Sequence, residues 1–234
     1  MIAVTPGIVL HTTPYGEASV VVKVFTRQLG VQSYIIKGVR GPRGRVKQNL
    51  LQPLSCLDMV VYDSPRSTLN HVKELSSRRP IGESDAVGNA LRFFMTEVLY
   101  RTLHEDEPMP DLWDYVERME CGEWGDGRAA DMPIVFLLKV AGYLGIEPLD
   151  NYSRRESYFD LQEGRYVGTL AETTLPLTLS AILHEYLGNY NLYPSTFPLS
   201  ERRALLDALI AYYQLHLSGF HNFHSHEILH TILK

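Results

Sequence analysis

From Ile2 to about Arg79 the apolar residues fall in short runs of the kind that strands make. Ile8-Val9-Leu10, Ser19 to Thr26 (SVVVKVFT), Val31 to Lys37 (VQSYIIK), Leu54 to Tyr62 (LSCLDMVVY) and Ser67 to Leu75 (STLNHVKEL) are rich in β-branched and aromatic residues, each bounded by Gly, Pro, Asn or Asp. Arg27-Gln28-Leu29-Gly30 reads as a hairpin turn in which Gly30 supplies a positive φ. Five strands in about 75 residues leave no room for crossover helices, so the pattern predicts a small antiparallel barrel or sandwich, and the five-stranded OB-type barrel fits the count. After Arg79-Pro80 the spacing turns helical. Ser84 is the expected N-cap of a helix running to about Glu105, with Val87, Leu91, Phe94 and Val98 on one stripe.

Five further helices are expected at Asp111 to Met119, Met132 to Leu144, Leu177 to Tyr190, Ser200 to Leu217 and Ser225 to Leu233. Met132 to Leu144 is apolar almost all round, which marks a central buried helix, and Gly145 is placed to end it. Tyr158 to Leu161 and Arg165 to Val167 flank Gln162-Glu163-Gly164, which suggests a small β-hairpin or loop insert. The expected organisation is therefore α+β and multidomain, with a barrel over 1–79 and a mainly helical domain over 80–234 carrying an insert near 151–168.

Charge sharpens this division. Residues 1–80 carry 11 Lys+Arg against 4 acids, a net of +7, while the whole chain of 234 residues is at −5, leaving −12 for residues 81–234. Lys37 to Lys47 reads KGVRGPRGRVK, with five cations, three glycines, one proline and no acid. Alone, such a run is equally well a solvated surface loop; joined to a five-stranded barrel, it points to a polyanion, with glycines letting the backbone come close to phosphate. Lys37, Arg40, Arg43, Arg45 and Lys47 are the expected contacts, with Lys23 and Arg27 as weaker candidates. Phe25, Tyr34 and Tyr62 on neighbouring strands are the aromatic candidates for stacking on bases, against the alternative that most of them are core.

Other chemistry is sparse. There is no GxxxxGK[ST], no GxGxxG after a strand and no GxSxG, so neither a nucleotide-cradling loop nor a nucleophile elbow is present, and we expect a binding protein rather than an enzyme, without cofactor. His226-Glu227-Ile228-Leu229-His230 matches the H-E-x-x-H pattern of zinc proteases, with His216, His221 and His224 upstream. Four residues beyond the motif leave no place for the usual downstream ligand, so the expectation is a fortuitous match. Cys56 and Cys121 form no CxxC and signal no disulfide framework. No segment approaches the length of a spanning helix, and the first residues lack the basic start of a signal peptide, so a cytoplasmic protein without membrane contact is expected. In the acidic half, Tyr186, Tyr190, Tyr193 and Tyr212 offer aromatic surface for a peptide groove, against the alternative of core packing, and Arg154, Arg155, Arg202 and Arg203 are possible anchors for an acidic tail.

Several of these segments resemble one family in order and spacing. Gly7-Ile8-Val9-Leu10, Tyr15-Gly16-Glu17-Ala18-Ser19, Val24-Phe25-Thr26, Gly30, Lys37-Gly38-Val39-Arg40 and Leu51-Gln52-Pro53-Leu54 resemble the bacterial recombination mediator family RecO. Leu144-Gly145-Ile146-Glu147-Pro148, and Tyr212 to Leu217 followed by Gly219-Phe220, extend the likeness beyond the barrel. The resemblance implies an OB domain followed by a helical domain. It implies binding to single-stranded and double-stranded DNA and to the single-strand-binding protein, partnership with RecR, annealing of complementary strands, recombinase loading and a nucleoid-associated location. It also implies a four-cysteine zinc site in many members, but Asn151 to Gly168 contains no cysteine, so zinc is not carried over and the Tyr158 to Val167 hairpin is expected to pack in its stead. The alternatives kept open are a protein adaptor without DNA binding and, far behind, the metalloprotease.

Overall fold

The structure is a computed structural model and describes residues 2–39, 48–62, 69–78, 85–120, 128–188 and 196–233. It divides into two compact units that interleave along the chain: residues 1–85 with 95–123, and residues 86–94 with 124–234.

In the first unit, β1 (Ile2–Tyr15), β2 (Ser19–Thr26), β3 (Gly30–Ile36), β4 (Cys56–Tyr62) and β5 (Asn70–Ser77) close into a barrel of order β1-β2-β3-β5-β4. The barrel is antiparallel except at one seam, where β3 and β5 run parallel through Tyr34 opposite Asn70 and Ile35 opposite His71. The expected OB-type topology is thus present. Alternation sends Val20, Val22, Val24, Tyr34, Ile36, Leu57, Met59 and Val61 inward to one apolar core.

β1 is longer than its apolar run suggests, because it continues through Pro6, Gly7 and Pro14. Gly7 sits where two strands press close: a Cβ there would come 2.4 Å from Val24 Cγ1 and 3.0 Å from Met59 Sδ. Pro14 lies where β1 pairs only with β2, its pairing with β4 having ended at Ile8, and a strand paired on one side tolerates proline.

The helix α1 (Ala86–Thr102) ends before the expected Glu105, because the chain there turns to bridge β3: Glu105 pairs with Val31, and the Asp106 N–H donates to the Val31 carbonyl at 3.2 Å. Its expected cap, Ser84, lies outside the described residues. α2 (Pro110–Glu120) then docks on the barrel with Leu112, Trp113 and Val116 buried. The Trp113 indole N–H donates to the Phe25 carbonyl at 3.0 Å. Arg27 grips Asp114 with two bonds, Nε to Oδ1 at 2.7 Å and Nη2 to Oδ2 at 2.9 Å. Arg78 joins the Glu117 and Asp58 carboxylates at 2.6 and 2.8 Å. Hydrogen bonding to Arg27 holds the Asp114 carboxyl below the usual carboxylate range, against a smaller opposing push from burial. Gly30 takes the expected positive φ in the turn, +69°, and the structure adds a second requirement: the Glu107 backbone approaches to 2.5 Å of an ideal Cβ, leaving no room for a side chain.

In the second unit, α3 (Met132–Tyr143), α4 (Leu177–Gly188), α5 (Leu199–His216) and α6 (Ser225–Ile232) follow the expected helices. Met132 to Leu138 of α3 are all buried. The helix ends on Gly145 at φ +72°, with the Ile146 N–H reaching back to the Ala141 carbonyl at 3.0 Å. The hairpin β6 (Tyr158–Asp160) and β7 (Arg165–Val167) is held by hydrogen bonds and ring contacts. Asp160 Oδ1 accepts from the Gln162 and Glu163 backbone N–H groups at 2.8 Å each, and Oδ2 accepts from the Thr173 hydroxyl at 2.6 Å. Asn151 both donates to and accepts from the Tyr166 backbone, while the buried Phe159 and Tyr166 rings meet edge to face at 5.1 Å.

Two predictions follow from these contacts. Gly30→Ala must carry a Cβ into the left-handed region and against the Glu107 backbone, so it should destabilise the first unit by about 2 kcal/mol or more, read as a lowered urea midpoint. The depressed Asp114 pKa means that the pair contributes stability above the ordinary carboxylate range and loses it as pH falls through the folded value. Asp114→Asn should therefore flatten the loss of stability below about pH 4, and superimposable acid limbs for the two proteins would show that the pair contributes nothing.

Candidate nucleic-acid interface

The cations of the barrel are sorted by the acids near them. Lys23 leaves β2 with its Nζ 3.0 Å from Glu105 and 5.1 Å from the centroid of the Tyr100 ring, and Arg27 is held by Asp114. Both weaker candidates thus have a carboxylate partner already, from the segment Glu105 to Asp114. Lys37 stands apart: it is exposed just beyond the end of β3 and leads into the glycine-rich run. Arg40, Arg43, Arg45 and Lys47 lie outside the described residues.

The two ends of that run are nonetheless fixed. Gly38 turns the chain at φ +71°, then Val39 buries its side chain in the barrel core and donates its N–H to the Ala18 carbonyl at 3.0 Å. On the other side, a single 3-10 turn at Gln48–Leu51 buries Leu51 in the same core, and the Thr12 hydroxyl donates to the Leu51 carbonyl at 3.0 Å. Between these anchors lies a cleft of about 630 Å³ lined by Thr12, Val39, Gln48, Asn49 and Gln52 among others. Val39 and Leu51, described residues on either side of Arg40 to Lys47, are thus anchored in the barrel core, beside a cleft whose described lining is uncharged and mixes apolar with polar side chains.

Of the three aromatic residues singled out in the sequence, Phe25 and Tyr34 are fully buried, and Tyr62 is 46% exposed. Only Tyr62 offers a ring face outward. Pattern reading passed over His71 and Lys73, both exposed on β5, because nothing in a linear sequence joins them to Lys37; the parallel β3–β5 seam does so.

The other candidate sites take ordinary places. In α6 the His226 ring stacks on Phe223 with centroids 5.5 Å apart, His230 Nε2 lies 3.4 Å from Asp207, and Glu227 faces His224. Among the described residues no cluster of three His, Cys, Asp or Glu side chains is placed to hold a metal ion. Tyr186 and Tyr212 are core residues, so they line no groove: their hydroxyls donate to Asp131 and to the Ile146 carbonyl. Tyr190 and Tyr193 lie outside the described residues. Arg202 faces the buried Asp131 at 3.3 Å, and Arg203 donates to the His230 and Leu233 carbonyls at the end of α6, which leaves Arg154 and Arg155 as the exposed members of the proposed anchor set. No helix among the described residues is long and apolar enough to cross a membrane.

Residues 1–86 match the family profile described as "Recombination protein O N terminal". Over whole chains, the protein is 30% identical to the DNA repair protein RecO of Porphyromonas gingivalis across 99% of both chains. It is 28% identical to that of Phocaeicola vulgatus across 94% of both, and 27% identical to that of Flavobacterium psychrophilum across 97% of this chain and 98% of the relative. With a closed five-stranded barrel ahead of its helices and this likeness running the length of the chain, the protein belongs to the RecO family.

Proposed function

We propose that the protein acts in DNA repair and homologous recombination by binding single-stranded DNA through its barrel. The observation that carries this is the acid-free cationic segment Lys37 to Lys47, with Val39 and Leu51, described residues on either side of Arg40 to Lys47, buried in the barrel core. Lys37, Arg40, Arg43, Arg45 and Lys47 hold the phosphates. Lys23 and Arg27 contribute less, because each would have to leave a carboxylate first. Phosphate contacts carry no base information, so binding is sequence-tolerant and extends to duplex DNA. Strand annealing follows from the same charge, since neutralising two backbones removes the repulsion that opposes pairing. In this reading the second unit meets protein partners, the single-strand-binding protein and RecR, and helps place recombinase on coated DNA. None of these acts needs a cofactor or a covalent step.

The test is the affinity for a fluorescent single-stranded oligonucleotide over a salt series. If all five segment cations touch phosphate, the slope of log affinity against log salt is about −3.5. The combined variant Arg40→Glu, Arg43→Glu, Arg45→Glu should lose most of that slope, and Lys23→Gln should cost less affinity than Lys37→Gln. A flat slope in the wild type, or an unchanged triple variant, would make the segment ordinary surface and leave a protein adaptor as the reading.

A further inference from the structure

Strand pairing lays one row of residues across the barrel at the level of the parallel seam, buried at Ile35 and exposed toward Tyr62 and Ile2. Residues directly opposite one another point to the same face. Ile2 is opposite Tyr62, Tyr62 opposite His71, His71 opposite Ile35, and Ile35 opposite Val21. The row is apolar and aromatic, with Tyr62 46% and Ile2 55% exposed at one end. The described pairing of β3 with β5 is only two residues long and ends at Ile35 and His71, and next to it lies a cleft of about 490 Å³. Lys37 on the β3 side and Lys73 on the β5 side line this cleft together with Tyr62 and His71. Lys73 is there because a bulge puts it between Val72, opposite Val61, and Glu74, opposite Val60. Its only described carboxylate neighbour is Glu74 at 3.4 Å, itself largely exposed. On the other flank of β3 the acids Glu105 and Asp106 are already bonded to Lys23 and Gln32.

We propose that one base of a bound strand enters this cleft and stacks on Tyr62, with its flanking phosphates on Lys37 and Lys73, and that this contact makes the protein favour single strands over duplex. The inference rests on the DNA-binding reading above and deepens it. The cleft fits a planar apolar ligand with anionic ends: its volume lies in the range of small-ligand pockets, its edge is aromatic, and its lining is basic. A duplex keeps its bases stacked and paired inside, so it can satisfy the lysines and never the ring. The segment Lys37 to Lys47 attracts either form; Tyr62 separates them.

The experiment compares wild type, Tyr62→Ala and Tyr62→Phe on three labelled ligands: an oligothymidylate, an abasic deoxyribose-phosphate strand of the same length, and a duplex. Tyr62→Ala should lose about 5- to 150-fold on the oligothymidylate, the worth of one stacked base, while holding the abasic strand and the duplex as the wild type does. Tyr62→Phe, which keeps the ring, should stay close to wild type. Equal losses on the thymidylate and abasic strands would overturn the stacking role, because the substitution would then act through the fold or the phosphates. Unchanged affinity on all three ligands would also overturn it, while the cationic-segment reading stands. A wild type that binds none of them would defeat both.

Discussion

The parallel pairing of Tyr34 with Asn70 and Ile35 with His71 turns five strands into a barrel, and most of the first unit's geometry depends on it. Without that seam β3 and β5 would be two open edges with unpaired backbone groups. Closing them gives Tyr34, Ile36, Met59 and Val61 a common interior. The seam is short, so its closure brings Lys37 and Lys73 beside one cleft instead of burying both strands' ends.

Charge then acts on this frame by subtraction. The segment from Glu105 to Glu117 lies along the barrel and supplies carboxylates to Lys23, Arg27 and Arg78. Partly exposed pairs of this kind contribute modestly to stability. Their larger effect is on the field: they neutralise the start of β3 and the end of β2, so the basic character of the module is concentrated at Lys37 and the run that follows. A helix that the pattern assigns to the acidic half thus shapes the electrostatics of the basic one, with buried Trp113 and its bond to Phe25 holding it in place.

The second unit keeps its insert ordered by hydrogen bonds and rings. Burial pushes the Asp160 carboxyl up, but the Thr173 hydroxyl and two backbone N–H groups outweigh this and hold it below its ordinary value. Burial likewise pushes the Tyr166 hydroxyl far above its usual range, and it donates to the Ser180 carbonyl. Deeper in the unit, fully buried Asp131 accepts from Tyr186 at 2.5 Å and faces Arg202 at 3.3 Å, so this charge is bonded as a buried charge must be. Arg202, partly buried, is thus already committed to Asp131.

The sequence alone determined the elements and their kind. Period-two runs in Ser19 to Thr26 and Leu54 to Tyr62, the 3.6-residue stripes of the helices, Gly30 in its turn and Gly145 at the end of α3 are local signals, because each depends on neighbours within one strand or one helical turn. The absence of cysteine from Asn151 to Gly168 was equally legible. Tertiary structure alone decided that β1 runs unbroken through Pro6 and Gly7, that α1 stops short so Glu105 can meet Val31, and which of Phe25, Tyr34 and Tyr62 faces outward. It also decided that Lys23 and Arg27 are neutralised while Lys37 stands with His71 and Lys73. The physical reason is that propensity and periodicity are summed over a few neighbouring residues, whereas the β3–β5 register joins residues 36 positions apart and the Arg27–Asp114 pair residues 87 apart, and only the closed chain brings those within a few ångströms of one another.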